Sequence, residues 1–211
     1  AEPPWSLDDV DHAFSHVVEL KYSQLIRLSG RAAGVSLMPL AAGTTLGGAI
    51  WVISKGTEEI VYAAEFNHQK ERMLAGASFD ALSKPTLLIA RCPGASLSIA
   101  PRKQREAELV EAIRGGLESG RDVLLPADAA GRVLELVLLL EQTWRSDFRL
   151  RRFPVVLAGP LAPNTLEYAK SQLEWMGEDV AALFDASHAN PFSLRAVRVV
   201  RTIDEVLRLP S

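Results

Sequence analysis

The sequence predicts an α/β protein built in two consecutive parts. Before Pro101, one helix precedes short apolar segments that are expected to be mostly consecutive strands. After Pro101, helices alternate with short apolar strands, which is typical of a parallel sheet with helices on its faces. The length of 211 residues suits one large domain or two small ones and is enough to bury a core. We therefore place a domain boundary near residues 99 to 103.

The first part is predicted to begin with a helix in SLDDVDHAFSHVVELKY, residues 6 to 22. Ser6 and Asp9 have capping-box spacing, with Asp in the place of Glu, and apolar residues follow with a helical period. Lys55-Gly56-Thr57 joins two apolar segments and indicates a hairpin. The expected strands are GVSLMPL (34 to 40), GAIWVIS (48 to 54), EEIVYAAEF (58 to 66) and KPTLLIARC (84 to 92).

The second part is predicted to contain three helices and three strands in alternation. Asp128 is the expected N-cap of the middle helix. The predicted helices are RKQREAELVEAIRGGLESG (102 to 120), DAAGRVLELVLLLEQTWRS (128 to 146) and APNTLEYAKSQLEWMGEDVAALF (162 to 184). The predicted strands are RDVLLPA (121 to 127), FPVVLAG (153 to 159) and LRAVRVVRT (194 to 202).

Composition bounds the possible functions. The formal net charge of −3 gives no overall field that would attract nucleic acid or a membrane. No apolar run reaches the roughly eighteen residues of a membrane helix. The N-terminus lacks a signal-peptide pattern, and Ala1 in place of methionine indicates an excised or processed segment. Cys92 is the single cysteine, so no internal disulfide can form, and a reducing compartment is expected.

The most conspicuous motif is the glycine-rich stretch AAGTTLGGAIW, residues 41 to 51, which leads into a strand. A phosphate loop would need a lysine followed by serine or threonine after its glycines, and this stretch has none. The favoured interpretation is a tight turn whose glycines supply positive φ or close packing. The role of Thr44 and Thr45 in such a turn is open at this point.

The other reactive residue types give weak signals. His12 and His16 could share a helix face, but no third ligand lies nearby, and solvated side chains are favoured. His68 and His188 are isolated in the sequence. Cys92 has no neighbouring histidine base in the sequence, so a buried structural thiol is favoured.

Two basic clusters could contact RNA phosphates. PRKQRE begins the first helix of the second part, and RSDFRLRRF follows its middle helix. A helix start and a solvated loop are the favoured interpretations. The stretch from Asp128 to Arg132 resembles an anion site by its position between a strand and a helix, but its single glycine makes the signal weak.

Several segments together resemble one known family. They are LDDVDHAFSHVVELKYSQ, AAGTTLGGAIWVISKGTEEIVYAAEFNHQKERMLAG, PRKQREAEL, DAAGRVLELVLLLEQTW, YAKSQLEWM and NPF. These segments are similar to the 100 kDa subunit of the cleavage and polyadenylation specificity factor. The matches are collinear from about residue 6 to the C-terminus.

This resemblance implies an α/β fold of the metallo-β-lactamase superfamily with an inserted β-CASP domain. Residues 1–101 would be the later part of the metallo-β-lactamase αββα sandwich, and residues 102–211 the N-terminal part of the Rossmann-like β-CASP domain. The chain would then be an internal section of a longer protein. The implied division agrees with the boundary predicted from the strand and helix pattern.

The resemblance also implies that a two-zinc site is degraded. In active relatives a histidine ligand stands at the position of Thr44, a metal-bridging aspartate at that of Glu65, and an acidic residue at that of Arg91. A hydroxyl is a poor zinc ligand beside imidazole, and glutamate moves the carboxylate outward by one methylene. A guanidinium opposes the charge of two zinc ions. We therefore expect no metal and no other cofactor.

The function that the resemblance implies is that of a non-catalytic nuclear scaffold, a pseudoenzyme in pre-mRNA 3'-end cleavage and polyadenylation. Expected partners are the endonuclease subunit of the same factor, a symplekin-like scaffold and, directly or indirectly, pre-mRNA; no membrane is expected. The candidate RNA contacts are Arg102, Lys103 and Arg105. Two alternatives stay open: an active zinc-dependent β-CASP RNA endonuclease, and a free-standing α/β nucleotide-binding module.

Overall fold

The computed structural model describes residues 4–80, 82, 84–91 and 100–208, and its strands form two separate sheets. Neighbouring strands of the larger sheet are antiparallel, except that its last two strands are parallel. The strands lie in chain order: β1 Ile26–Arg27, β2 Val35–Ala41, β3 Ala49–Lys55, β4 Glu58–Ala63 and β5 Leu87–Ala90. The four strands predicted for the first part therefore lie in one sheet, and a short fifth strand was missed.

Alternation along β3 and β4 gives this sheet one buried face. Ile50, Val52, Val61 and Ala63 are almost completely buried, while their neighbours along each strand are more exposed. Side chains of a strand point alternately to its two faces, so these residues share one side. They form a core cluster with Leu40, Ala42 and Ala77.

The first helix, α1 Leu7–Phe14, is shorter than predicted. Its capping box is present, with the Asp9 amide donating to Ser6 Oγ over 3.2 Å and the Ser6 amide donating to Asp9 Oδ2 over 2.8 Å. The helix ends where the Ser15 hydroxyl donates to the His12 carbonyl over 2.7 Å. A serine side chain competes for backbone groups in this way, and the β-branched residues that follow are weak helix formers.

The second part alternates helices with a two-stranded parallel sheet. Its elements are α2 Arg102–Glu118, α3 Arg132–Ser146, β6 Val155–Ala158, α4 Ala162–Ser171, α5 Glu178–Ser187, β7 Val197–Val200 and α6 Ile203–Leu207. β6 and β7 pair in parallel, with Val155 opposite Val197. The structure therefore contains two of the three predicted strands, and they are parallel as predicted. Each predicted helix has a counterpart at about the same position.

The predicted strand at residues 121 to 127 is wrong: this segment makes no strand pairing. Two of its apolar side chains, Val123 and Leu125, pack against α2 instead. A Cβ built on Gly116 would lie 2.9 Å from Val123 Cγ2, and Leu125 packs with the cluster that contains Ile113. Leu124 is left 89% exposed. Side-chain packing thus holds the segment where the apolar pattern alone predicted a hydrogen-bonded strand.

Two helix boundaries also differ from the prediction. The N-cap of α3 is Gly131, with φ of +77°, and not Asp128. The long helix predicted over residues 162 to 184 is interrupted between Ser171 and Glu178. At the interruption the Gly177 amide donates to the Met73 carbonyl over 2.8 Å. A contact with the first part of the chain thus replaces continuous helical hydrogen bonding.

The two parts share a core. Met73 and Leu74 from the first part are buried in one cluster with Val133, Leu134 and Val137 of α3. Residues 92–99, which adjoin the predicted boundary, lie outside the described residues, so the division at residue 101 stays a prediction. Within the described ranges, no helix is long and apolar enough to cross a membrane.

Candidate functional site

The glycine-rich turn is shaped by close backbone contact. The Ala42 amide donates to the Gly48 carbonyl over 2.9 Å, which closes the turn. Gly43 has φ of +69°, and a Cβ built on it would lie 2.5 Å from the Asn67 carbonyl oxygen and 2.7 Å from the Ala77 amide nitrogen. No side chain fits at that distance, so glycine is required for packing. This geometry agrees with the tight-turn interpretation of the sequence.

The tip of the turn lies against the second part of the chain. Leu46 packs against the core cluster that contains Met73 and Val133. A Cβ built on Gly131 would lie 2.9 Å from Thr45 Cγ2, so Thr45 contacts the start of α3. Of the two threonines, Thr45 has an identifiable packing role, while Thr44 is half-buried beside Gly48.

Glu65 and Arg91 form an ion pair at the edge of the larger sheet. Glu65 follows β4, Arg91 follows β5, and the register places Ala63 opposite Ala90. Because the two strands are parallel, their carboxyl ends bring these side chains together. Arg91 Nη1 lies 2.9 Å from Glu65 Oε1, and the two side chains are 65% and 68% exposed. Two of the three positions predicted for the degraded metal site are therefore in contact.

The histidines lie at the surface. The His12 and His16 rings are edge to face with centroids 4.7 Å apart, and His16 Nδ1 lies 2.8 Å from the His12 carbonyl oxygen. His68 and His188 are exposed. Among residues 4–80, 82, 84–91 and 100–208, no three His, Cys, Asp or Glu side chains lie together as a metal site would need. Cys92, expected to be a buried thiol, lies outside these residues.

The predicted RNA contacts at the start of α2 differ in their surroundings. Arg105 Nη2 lies 3.1 Å from Glu71 Oε1, and its Nε donates to the Ala100 carbonyl over 3.0 Å. Arg102 Nε lies 3.7 Å from an oxygen of Glu106. Lys103 is exposed. The two arginines thus have carboxylate partners within the chain, and Lys103 is the most accessible of the three cations.

The segment of residues 70 to 77, here called the junction segment, was not predicted to matter. Glu135 of α3 accepts hydrogen bonds from the amides of Met73 and Leu74, at 2.9 and 3.3 Å. Burial raises the pKa of the Glu135 carboxyl, although these hydrogen bonds act in the opposite direction. The sequence signal was an acidic residue on the apolar face of a helix.

Comparison with known proteins defines the class of fold. Residues 2–91 match the family described as a metallo-beta-lactamase superfamily domain. The fold class over these residues is therefore that of the metallo-β-lactamase superfamily, as predicted. The mixed sheet of β1 to β5 belongs to this matched region.

Three relatives are similar to the chain over almost its whole length. The chain is 39% identical over 98% of its length to "Probable cleavage and polyadenylation specificity factor subunit 2" of Drosophila melanogaster. It is 42% identical over 93% of its length to "Cleavage and polyadenylation specificity factor subunit 2" of Arabidopsis thaliana. It is 34% identical over 94% of its length to "Cleavage factor two protein 2" of Schizosaccharomyces pombe. The chain spans only 28%, 26% and 26% of these proteins.

Proposed function

We propose that this chain is an internal section of a 100 kDa-type, non-catalytic subunit of the nuclear machinery that cleaves and polyadenylates pre-mRNA. The similarity to relatives named as subunit 2 of the cleavage and polyadenylation specificity factor supports the process. The observation that carries the non-catalytic role is the ion pair between Glu65 and Arg91.

Metal chemistry explains why this ion pair argues against catalysis. A two-metal hydrolase uses its ions to generate hydroxide and to offset the charge of the phosphate. A carboxylate that bridges two metal ions binds them through its negative charge. A guanidinium paired with the same carboxylate neutralises that charge and weakens the binding of the metals. Thr44 offers a hydroxyl where an imidazole would bind zinc well. The donor set of Thr44, Glu65 and Arg91 therefore does not fit a two-zinc centre.

The proposed role is structural. The chain would shape a heterodimer with the endonuclease subunit, in contact with a symplekin-like scaffold, and pre-mRNA would pass nearby. The proposed domains are residues 1–101, the later metallo-β-lactamase part, and residues 102–211, the first β-CASP part. The separation of the strands into a sheet of β1 to β5 and a sheet of β6 and β7 supports this division.

The two other functions have less support. An active zinc-dependent β-CASP endonuclease would need ligands at positions 44, 65 and 91, where threonine, glutamate and arginine stand. A free-standing nucleotide-binding module would need a glycine-rich phosphate loop after a strand. The segment before α3 has Gly131 as its glycine, and none of the described residues between α2 and α3 forms a strand.

Zinc content tests the non-catalytic role. The full-length protein that contains this section, purified without chelator, is expected to hold no zinc by elemental analysis and to leave single-stranded RNA intact. Thr44→His alone should not restore metal, because Glu65 and Arg91 remain. About two zinc ions per chain, with RNA cleavage that EDTA abolishes, would overturn the proposal in favour of the nuclease.

A matched variant makes this test sharper. The triple variant Thr44→His, Glu65→Asp and Arg91→Asp supplies a ligand type at each position and removes the guanidinium. We expect the triple variant to bind more zinc than the single variant Thr44→His. Zinc in the single Thr44→His variant would contradict the argument that Arg91 opposes metal.

A further inference from the structure

Four arginines line one cleft in the second part of the chain. The cleft has a volume of about 520 Å³, and its lining includes Arg145, Arg151, Arg195 and Arg198 together with Phe153 and Trp144. All four arginines are exposed. They come from the last turn of α3, from the short 3-10 helix Leu150–Arg152, and from the segment that enters and forms β7. Tertiary structure thus gathers cations that are up to about fifty residues apart in sequence.

The cleft is held by buried hydrogen bonds. Trp144 Nε1 donates to the Phe153 carbonyl over 2.9 Å, which ties the end of α3 to the start of β6. Glu141, only 5% exposed, accepts from the amides of residues 195, 196 and 197 at 2.9, 2.8 and 3.0 Å. These bonds fix the backbone that carries Arg195 and Arg198.

The nearby carboxylates do not neutralise the cleft. The carboxylate of Glu141 is used by the three amides, and that of Asp147 by Arg114 and Arg149, at 3.0 and 3.4 Å. Among the ion pairs of the described residues, none involves the four cleft arginines. Like charges held together without a counter-ion repel each other, so an anionic ligand would be favoured there.

We propose that this arginine cleft binds the phosphodiester backbone of single-stranded RNA. Guanidinium groups present planar pairs of donors that match phosphate oxygens, and they stay charged at any physiological pH. Four of them lining one cleft offer more donors than one small anion can accept from, and therefore suit a chain of phosphates better. The choice of RNA over another polyanion rests on the proposed function, whereas the anion chemistry does not.

A neighbouring cavity extends the basic path toward α2. It has a volume of about 610 Å³ and shares Arg145 with the cleft, while Arg102 is also part of its lining. One of the RNA contacts predicted from the sequence therefore lies beside the cleft. Glu141 and Asp179 also contribute to this second cavity, so its field is mixed and the arginine cleft is the stronger site.

Titration of a fluorescent oligouridine by anisotropy tests the proposal. The double variant Arg195→Gln/Arg198→Gln of the 211-residue chain should bind at least about tenfold more weakly than the wild type. Its log K against log salt slope should be smaller by about 1.4, because each lost phosphate contact contributes about 0.7 for single strands. The control Arg27→Gln/Arg31→Gln removes two exposed charges from the first part of the chain and should change Kd less than about twofold.

Further variants keep the test decisive. Arg195→Lys/Arg198→Lys retains the charge, so the slope of log K against log salt should stay the same. RNA binding should be weaker, because lysine lacks the planar pair of N–H donors of a guanidinium. Lys103→Gln, at the start of α2, should have a smaller effect than the cleft variant. Thermal melting followed by circular dichroism establishes that each variant is folded. Equal losses in the cleft and control variants would overturn the proposal, because they would mean general charge attraction.

Competition distinguishes the possible ligands. An acidic polyglutamate peptide that displaces RNA from the wild type as well as unlabelled RNA does would overturn the RNA assignment in favour of an acidic protein segment. A wild-type chain that fails to bind RNA would overturn the cleft proposal while leaving the scaffold role intact. Zinc in the full-length protein would overturn the scaffold role, and loss of binding in the cleft variant would still support the RNA site.

Discussion

The junction segment and the arginine cleft both contain cationic side chains, but only at the junction are these cations paired with carboxylates. At the junction, Lys70 lies 2.8 Å from Asp179, Arg105 of α2 lies 3.1 Å from Glu71, and Arg72 lies 2.7 Å from Glu106. In the cleft, among the described residues, the four arginines have no carboxylate within ion-pair distance.

The difference separates charges that join parts of the fold from charges that are available to a ligand. The junction pairs connect the first part of the chain to α2 and α5, and Glu71 is only 12% exposed. Removal of Arg105 would therefore leave the poorly solvated carboxylate of Glu71 without its cation. The cleft arginines are exposed and form no ion pair with any described residue, so their removal should weaken binding and cost little stability.

The largest expected effect on stability is at Glu141, whose carboxylate accepts hydrogen bonds from the backbone that carries Arg195 and Arg198. Glu141→Ala removes the acceptor of three backbone amides, one in a buried and two in partly buried hydrogen bonds. It should lower the free energy of unfolding by about 3–5 kcal/mol, because a buried donor left unpaired costs about 1–3 kcal/mol. Glu141→Gln keeps one acceptor oxygen and should lose less. Urea denaturation measures both. A loss under about 1 kcal/mol for Glu141→Ala would mean that the backbone of β7 does not depend on this carboxylate.

A pair of arginine variants compares the two regions directly. Arg105→Ala should lower the free energy of unfolding by about 1–2 kcal/mol, because it leaves the Glu71 carboxylate without its cation. Arg195→Ala should change it by less than about 0.5 kcal/mol, as is usual for an exposed, unpaired side chain. The same urea measurement applies to both. If Arg195→Ala proves the more damaging, the distinction between joining and binding charges is wrong.

The smallest effect concerns the pH dependence of the junction. Burial raises the pKa of Glu135 above its ordinary value of 4.5. The folded state therefore favours the protonated carboxyl, and the resulting stabilisation is complete below pH 4.5 and is lost as pH rises through the folded pKa. The stability of the wild type minus that of Glu135→Gln should fall as pH increases over this window. A difference that grows with pH would show that the hydrogen bonds from Met73 and Leu74 outweigh burial.

Local sequence patterns predicted much of the fold. The apolar strand GAIWVIS, the Lys55-Gly56-Thr57 turn and the capping box of Ser6 and Asp9 depend on neighbours along the chain, and each is present. The switch from consecutive strands to strand and helix alternation predicted the two sheets for the same reason. The resemblance to a known family singled out Glu65 and Arg91, which the parallel pairing of β4 and β5 brings together.

The sequence by itself determined which segments could be helices or strands, and its resemblance to a known family led to the expectation that three positions differ from a metal site. Only the tertiary structure decided that residues 121 to 127 pack on α2 without strand pairing, that Gly177 interrupts a helix to bond Met73, and which arginines are paired. Secondary-structure propensity is a short-range preference of at most about 1 kcal/mol per ordinary residue, and packing against distant segments overrides it. Charge pairing depends on distances between side chains far apart in sequence, such as Lys70 and Asp179, which no local pattern encodes.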